Sequence, residues 1–152
     1  KTQLAPTSGA MGYGVPAGIA AAIATGRTVV TLTGDGDFLM TGQELATAAQ
    51  QGARVIVILL NNGIYGTIRM HQEREFPGRV SGSQLANPDF VALAEAYGHA
   101  GARVRATADF DPALRAALAR ERGTLIEVML DAEVLTTRAT LSTLRERALQ
   151  AR

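Results

Sequence analysis

Arg54-Val55-Ile56-Val57-Ile58-Leu59-Leu60-Asn61-Asn62-Gly63 is the stretch on which the fold turns. It is apolar without alternation and then breaks into a polar turn. A strand wetted on one face alternates apolar and polar residues. A short run that does not alternate is covered on both faces, as in a parallel sheet. Two further runs read the same way. Val29-Val30-Thr31-Leu32-Thr33 leads into Gly34-Asp35-Gly36-Asp37, and Thr124 to Leu130 lies near the C-terminal end. Ala102-Arg103-Val104 adds a short fourth strand.

Helical patterns separate the strands. Pro16 to Thr25 is rich in alanine. Thr41-Gly42-Gln43-Glu44 has the form of a capping box, followed by Leu45, Ala48, Ala49 and Gly52 at the spacing of one buried face. Asn87-Pro88 reads as a helix start, with Phe90, Leu93, Ala94 and Tyr97 as its stripe and Gly98 as its stop. Asp111-Pro112 repeats the start signal, with Leu114, Ala117 and Leu118 inside and Gly123 at the end, and Leu141 to Leu149 reads as a last amphipathic helix. Ile64 to Ala86, with Pro77, Gly78, Gly82 and mixed charges, is expected to be a part-helical surface segment or active-site lid. Strands alternating with helices predict a three-layer α/β domain. Its sheet is mostly parallel, of about five or six strands, with helices on both faces.

Composition narrows the function classes. A chain of 152 residues is one ordinary domain and buries roughly 70% of its unfolded surface. Its net charge of +1 and 5% aromatic content give neither a basic footprint nor stacking platforms, so no nucleic-acid partner is expected. The absence of cysteine excludes disulfides and thiolate chemistry. No run approaches the roughly 20 apolar residues of a membrane span, and no signal peptide is visible, so a cytoplasmic location is expected.

The chemistry lies at two strand ends. Ligands of an open parallel sheet bind beyond the carboxyl ends of its strands. Asp35 follows one strand and Asn62 the next, with a single helix connecting them. A carboxylate and an amide oxygen are hard donors suited to Mg²⁺ or Ca²⁺, and magnesium leaves other positions to phosphate oxygens. Gly34 and Gly36 allow close backbone approach. A metal-bridged diphosphate is the reading these residues favour. Taken alone, Gly-Asp-Gly and Asn-Asn-Gly are ordinary turn formers. Gly12-x-Gly14-x-x-x-Gly18 is a loose dinucleotide fingerprint, but no strand is predicted before it.

Gly34-Asp35-Gly36, a spacer, and Asn61-Asn62 resemble the GDG…NN motif of thiamine-diphosphate-dependent enzymes, at the spacing expected of that family. Three more segments agree. Gly9 to Ala17 resembles the GxMGxGxPAA segment, and Asp37 to Leu45 resembles the continuation of GDG. Asn87-Pro88-Asp89-Phe90 with Ala94, Ala96 and Gly98 resembles a helix of acetolactate-synthase-like members. The resemblance spans Gly9 to Leu130 and identifies the chain as a C-terminal diphosphate-binding domain, 1–152, of a roughly threefold larger enzyme.

By position, the resemblance implies Mg²⁺ ligation by the side chains of Asp35 and Asn62 and the carbonyl of Ile64. Gly34, Gly36 and Asp37 would line the diphosphate. Gly9 and Met11 would meet the aminopyrimidine, with Met11 supporting the bent cofactor. The family's catalytic Glu belongs to a separate pyrimidine-binding domain of another subunit. This fragment alone is therefore expected to be inactive, to expose apolar patches, and to work within a homodimer or homotetramer. The implied reaction is decarboxylation of a 2-keto acid and ligation of the resulting enamine to a second carbonyl; simple decarboxylation is the alternative. Nicotinamide binding and non-catalytic diphosphate binding are weaker alternatives. Two positions depart from known branches. Ile68 stands where pyruvate decarboxylases carry a proton-handling Glu, and Met70-His71 where acetolactate synthases carry Gln-Trp.

Overall fold

The computed structural model describes residues 2–151. Four strands, β1 (Val29–Gly34), β2 (Val55–Asn61), β3 (Ala100–Val104) and β4 (Thr124–Met129), form one all-parallel sheet in the order β1-β2-β4-β3. The expected fifth and sixth strands are not present among the described residues, where the remaining apolar segments are helices. These are α1 (Gly14–Thr25), α2 (Asp35–Thr41), α3 (Leu45–Gln51), α4 (Gly66–Glu75), α5 (Phe90–Ala96), α6 (Phe110–Ala119) and α7 (Leu141–Gln150). No helix among the described residues is long and apolar enough to cross a membrane.

The chain divides into two compact units, Lys1–Asn61 with Asn87–Met129, and Asn62–Ala86 with Leu130–Arg152. The first contains the sheet. Val55, Val57 and Leu59 of β2 face one core with Val15 and Ile19 of α1, Phe38 of α2, Leu45 and Ala48 of α3, and Phe90 and Ala94 of α5. Ile56 and Ile58 face a second core with Val104, Ile126 and Ala117 of α6. The non-alternating sequence of β2 is thus explained: both its faces are dry. β1 is an edge strand, and Val30 and Leu32, register partners of Ile56 and Ile58, are 48% and 66% exposed. The expected exposed apolar surface includes this pair.

Helix α1 lies so close to β1 that two of its contacts are tight for any residue larger than glycine. A Cβ on Gly14 would stand 3.0 Å from the Leu32 carbonyl oxygen, and one on Gly18 3.1 Å from Thr31 Cβ. The Gly12–Gly18 fingerprint is therefore a packing device. No strand precedes it among the described residues.

Several helix boundaries differ from the sequence pattern. The Thr41–Glu44 box does not form. Thr41 Oγ1 donates to the Gly12 carbonyl at 2.9 Å, and Glu44 accepts from the Thr47 hydroxyl at 2.7 Å. The helix run instead begins at Asp35, with Gly34 as N-cap. Gly52 has φ +62° and ends α3 rather than lying on its buried face, and Ala49 is exposed. Asp89, not Asn87, caps α5, accepting from the N–H groups of Val91 and Ala92. Gly98, at φ +84°, does close α5. Its N–H reaches Glu95 O and that of His99 reaches Ala94 O, a Schellman pairing. Helix α6 starts at Phe110 and ends at Ala119, so Gly123 is no helix stop. A Cβ there would press 2.5 Å from His99 Nδ1. His99 is buried, with Nε2 2.8 Å from the Leu45 carbonyl, which fixes a proton on Nε2.

In the second unit, Glu73 of α4 is 1% exposed. It accepts from Arg69 Nε (2.9 Å), the Gly78 N–H (2.9 Å), and Arg145 Nε and Nη2 of α7 (2.8 and 2.7 Å). The hydrogen bond from Arg145 is the largest cause holding its carboxyl at about 2, well below the usual value. Arg69 is thereby an ion-pair member. A buried charge pair thus joins α4 to α7.

Candidate cofactor site

The register pairs Gly34 with Leu60, so the carboxyl ends of β1 and β2 are level. The chain leaves β1 directly into α2, and Asp35 is its first residue. Asp35 is 3% exposed. Its Oδ1 accepts from the Gly36 N–H at 3.0 Å and its Oδ2 from Asn87 Nδ2 at 2.8 Å. Gly36 and Asp37 occupy the first helical turn, where backbone N–H groups have no intrahelical acceptor. A Cβ on Gly34 would meet nothing nearer than Asp37 Cβ at 4.0 Å, so the approach to this turn is open.

Asp37 has a definite task. Its side chain accepts from the Gly12 N–H and, at 2.6 Å, from the Thr33 hydroxyl. Thr41, one turn later, holds the Gly12 carbonyl. One face of α2 therefore grips both polar groups of a single peptide residue. Gly12 itself has φ +87°, and a Cβ would stand 3.0 Å from Met40 Cβ and 3.1 Å from Thr41 Cγ2. Left-handed backbone and lack of space both demand glycine. The grip fixes the loop Gly9–Gly12 and presents Met11, 49% exposed, on its outer side. Gly9, at φ +66°, is exposed on the same loop. Phe38 anchors α2 from below, edge-on to Phe90 with ring centroids 5.5 Å apart.

In the second unit, Asn62 Oδ1 accepts from the Ile64 N–H at 3.1 Å across Gly63, whose φ is +70°. This is an Asx turn, which orients the Asn62 side chain by its own backbone. Ile64 is buried and bridges antiparallel to Gln84. A Cβ on Gly66 would stand 3.1 Å from Asn62 Nδ2 and 2.8 Å from Leu135 Cδ2, so a side chain there would displace one of these side-chain ends.

Asn87, expected to start a helix, belongs instead to the first unit's polar cluster, with Asn61, Glu127 and Arg103. Asn87 Nδ2 donates to Asn61 Oδ1 at 2.9 Å as well as to Asp35. Asn61 Nδ2 donates to Glu127 Oε1 at 2.7 Å. Glu127 Oε2 accepts from Arg103 Nε at 2.5 Å, and Arg103 Nη2 reaches Asp89 Oδ1 at 2.7 Å. The hydrogen bond to Glu127 is the largest cause raising the Arg103 pKa. The Ala92 N–H is the largest cause lowering that of Asp89. A signal was available: Glu127 is a lone carboxylate within an apolar strand, and such a group needs a partner.

Within the first unit, a carboxylate beside a glycine-flanked helical turn suits a hard cation near a phosphate; within the second, an Asx turn fixes the amide oxygen of Asn62. Residues 1–128 match the family described as thiamine pyrophosphate enzyme, C-terminal TPP binding domain. The chain belongs to that family, whose cofactor is thiamine diphosphate with Mg²⁺. Among its relatives, the mitochondrial acetolactate synthase catalytic subunit of Saccharomyces cerevisiae is 38% identical over 127 residues, covering 83% of this chain and 18% of the relative. The acetolactate synthase isozyme 3 large subunit of Escherichia coli is 41% identical over 116 residues, covering 75% and 20%. A solved structure, the thiamine diphosphate-dependent 4-hydroxybenzoylformate decarboxylase of Rhodococcus jostii RHA1, superposes with a TM-score of 0.77 at 40% identity. The match covers 83% of this chain and 24% of that one. The chain thus spans about a fifth of the length of the relatives it matches. It is a TPP-binding domain of the acetolactate-synthase-like kind.

Proposed function

We propose that this chain is the C-terminal diphosphate-binding domain of a larger, oligomeric enzyme. That enzyme would decarboxylate a 2-keto acid and join the remaining fragment to a second carbonyl compound. The observation that carries this reading is the family match together with Asp35 and Asn61 at the level ends of adjacent parallel strands, with Asn62 next in sequence. The side chains of Asp35 and Asn62 and the Ile64 carbonyl would hold Mg²⁺. Gly34, Gly36 and Asp37 would line the diphosphate through their backbone, and Gly9 and Met11 would meet the pyrimidine end. Bound thiamine diphosphate supplies the electron sink for cleaving a bond next to a ketone. The protein's part here is to bind and orient. Asp35 supplies charge for the cation, the Gly12 grip holds Met11 in place, and the acid–base group comes from a pyrimidine-binding domain outside these residues.

The test is calorimetry on the full-length protein with thiamine diphosphate and Mg²⁺, beside Asp35→Ala and with NADH as a competing ligand. Magnesium-dependent binding that Asp35→Ala abolishes is expected. Binding of NADH that ignores Asp35 would overturn the reading. Simple decarboxylation is the second reading, favoured by the likeness to a decarboxylase structure. Counting carbon–carbon bonds formed per CO₂ released separates the two: near one for ligation, near zero for decarboxylation alone.

A further inference from the structure

We propose that Asn87 is a positioning residue that fixes the Asp35 carboxylate for its cation, and that Glu127 sets the direction of the hydrogen bonds that make it do so. The proposal rests on Asp35 being a metal ligand, as read above.

The argument runs along the polar cluster from its far end. An ionised carboxylate only accepts hydrogen bonds. Glu127 Oε2 is taken by Arg103, so its Oε1 requires a donor, and Asn61 turns its NH₂ there. The Asn61 carbonyl oxygen then faces Asn87 and requires a donor in turn. Asn87 answers with its own NH₂, whose second hydrogen goes to Asp35 Oδ2. A flip of the Asn87 amide would set its oxygen against two acceptors, Asn61 Oδ1 and Asp35 Oδ2. The order of donors is therefore dictated from Glu127, and it ends in an uncharged donor on one oxygen of Asp35. The Gly36 N–H holds the other oxygen, so the plane of the carboxylate is set from two sides.

The backbone reinforces the arrangement. Asn87 precedes Pro88, which restricts it to extended conformations. Two residues on, Asp89 caps α5 and pairs with Arg103. The segment Asn87–Asp89 is thus tied at one end to Asp35 and at the other to the guanidinium that holds Glu127. Asn87 Oδ1 is buried and takes no protein donor among the described residues. A side chain selected for packing alone would not bury an unmatched acceptor. The part of the amide that is used is the part aimed at Asp35.

Full-length protein carrying Asn87→Ala tests this, with Mg²⁺ affinity read by calorimetry at saturating thiamine diphosphate. Loss of an outer partner of a metal ligand typically costs 10–100-fold in metal affinity. We expect the Mg²⁺ Kd to rise about tenfold, with activity recovered by excess Mg²⁺ and the substrate KM unchanged. A merely structural role would lower the unfolding temperature without moving the Mg²⁺ Kd. Glu127→Gln, which keeps Asn87 and the shape of the cluster but lets both amides turn, is expected to raise the Kd about threefold, a value between no effect and that of Asn87→Ala. It decides the matter if Asn87→Ala does not fold. Parental Mg²⁺ affinity in the folded variants would overturn the proposal while leaving the site reading intact, provided Asp35→Ala loses binding. Unchanged Mg²⁺ binding in Asp35→Ala would remove both.

Discussion

Two buried carboxylates of this chain are held in opposite ways. Glu73, in the second unit, faces two guanidinium groups and a backbone N–H. Asp35, in the first, is held by the Gly36 N–H and the Asn87 side chain. Guanidinium groups cancel a carboxylate's charge, whereas amide donors orient it without neutralising it. Glu73 thus serves as a structural joint, while Asp35 meets uncharged donors at Gly36 and Asn87 and is read as a cation ligand. Burial does not distinguish them, at 1% and 3% exposure.

The comparison breaks most directly by exchange of phenotypes. Asp35→Ala is expected to weaken Mg²⁺-dependent cofactor binding by more than the 10–100-fold typical of losing an outer partner, while leaving the urea midpoint of the apo protein nearly unchanged. Glu73→Ala should do the reverse. Removing one partner of a buried ion pair strands the others, and the lower end of the usual range, about 3 kcal/mol, applies because Arg145 is about a third exposed. The loss should appear in hydrogen exchange of α4 and α7, with Mg²⁺ affinity unaltered. If Glu73→Ala instead lowered Mg²⁺ affinity as much as Asp35→Ala, the division between joint and ligand would be wrong.

Acid sharpens the same contrast. The Glu73 carboxyl is held at about 2, below its ordinary 4.5, so the folded state favours its ionised form. Its contribution is fully present above the unfolded value near 4.5 and is lost as pH falls through about 2. Exchange protection of α4, corrected for the intrinsic rate, should decline over that window in the parent protein. In Glu73→Gln it should start lower and stay flat there.

How much of this was legible in the sequence depends on whether a residue's partners lie near it in the chain. β2 was legible because dryness on both faces writes itself as an unbroken apolar run. The placement of Asp35 and Asn62 directly after strands was legible because each strand is a local apolar run. Gly98 was legible as a stop because Schellman pairing is local. The role of Thr41 was not, since its hydroxyl serves Gly12 rather than its own helix. Asn87 looked like a cap because Asn-Pro commonly is one. Its partners, Asp35 and Asn61, are brought to it by the sheet. Glu73 sat among exposed charges, and only the return of α7 buries it.

The smallest effect concerns Asp37, a further acidic group of the first unit. Its partners are a main-chain N–H and a hydroxyl, so it is oriented like Asp35, yet both contacts serve to fix the Gly9–Gly12 loop. Asp37→Ser retains a hydroxyl but not the two-oxygen reach from Thr33 to Gly12. The loss of one charge-assisted hydrogen bond should cost about 1.5 kcal/mol. Because Thr41 still holds the Gly12 carbonyl, the loop loosens without melting, and Met11 loses definition. Cofactor affinity should therefore fall a few-fold at all Mg²⁺ concentrations, in contrast to Asn87→Ala, whose defect excess Mg²⁺ repairs. A defect in Asp37→Ser that Mg²⁺ did repair would assign Asp37 to the cation instead, and the loop-clasping role drawn from its two hydrogen bonds would fall.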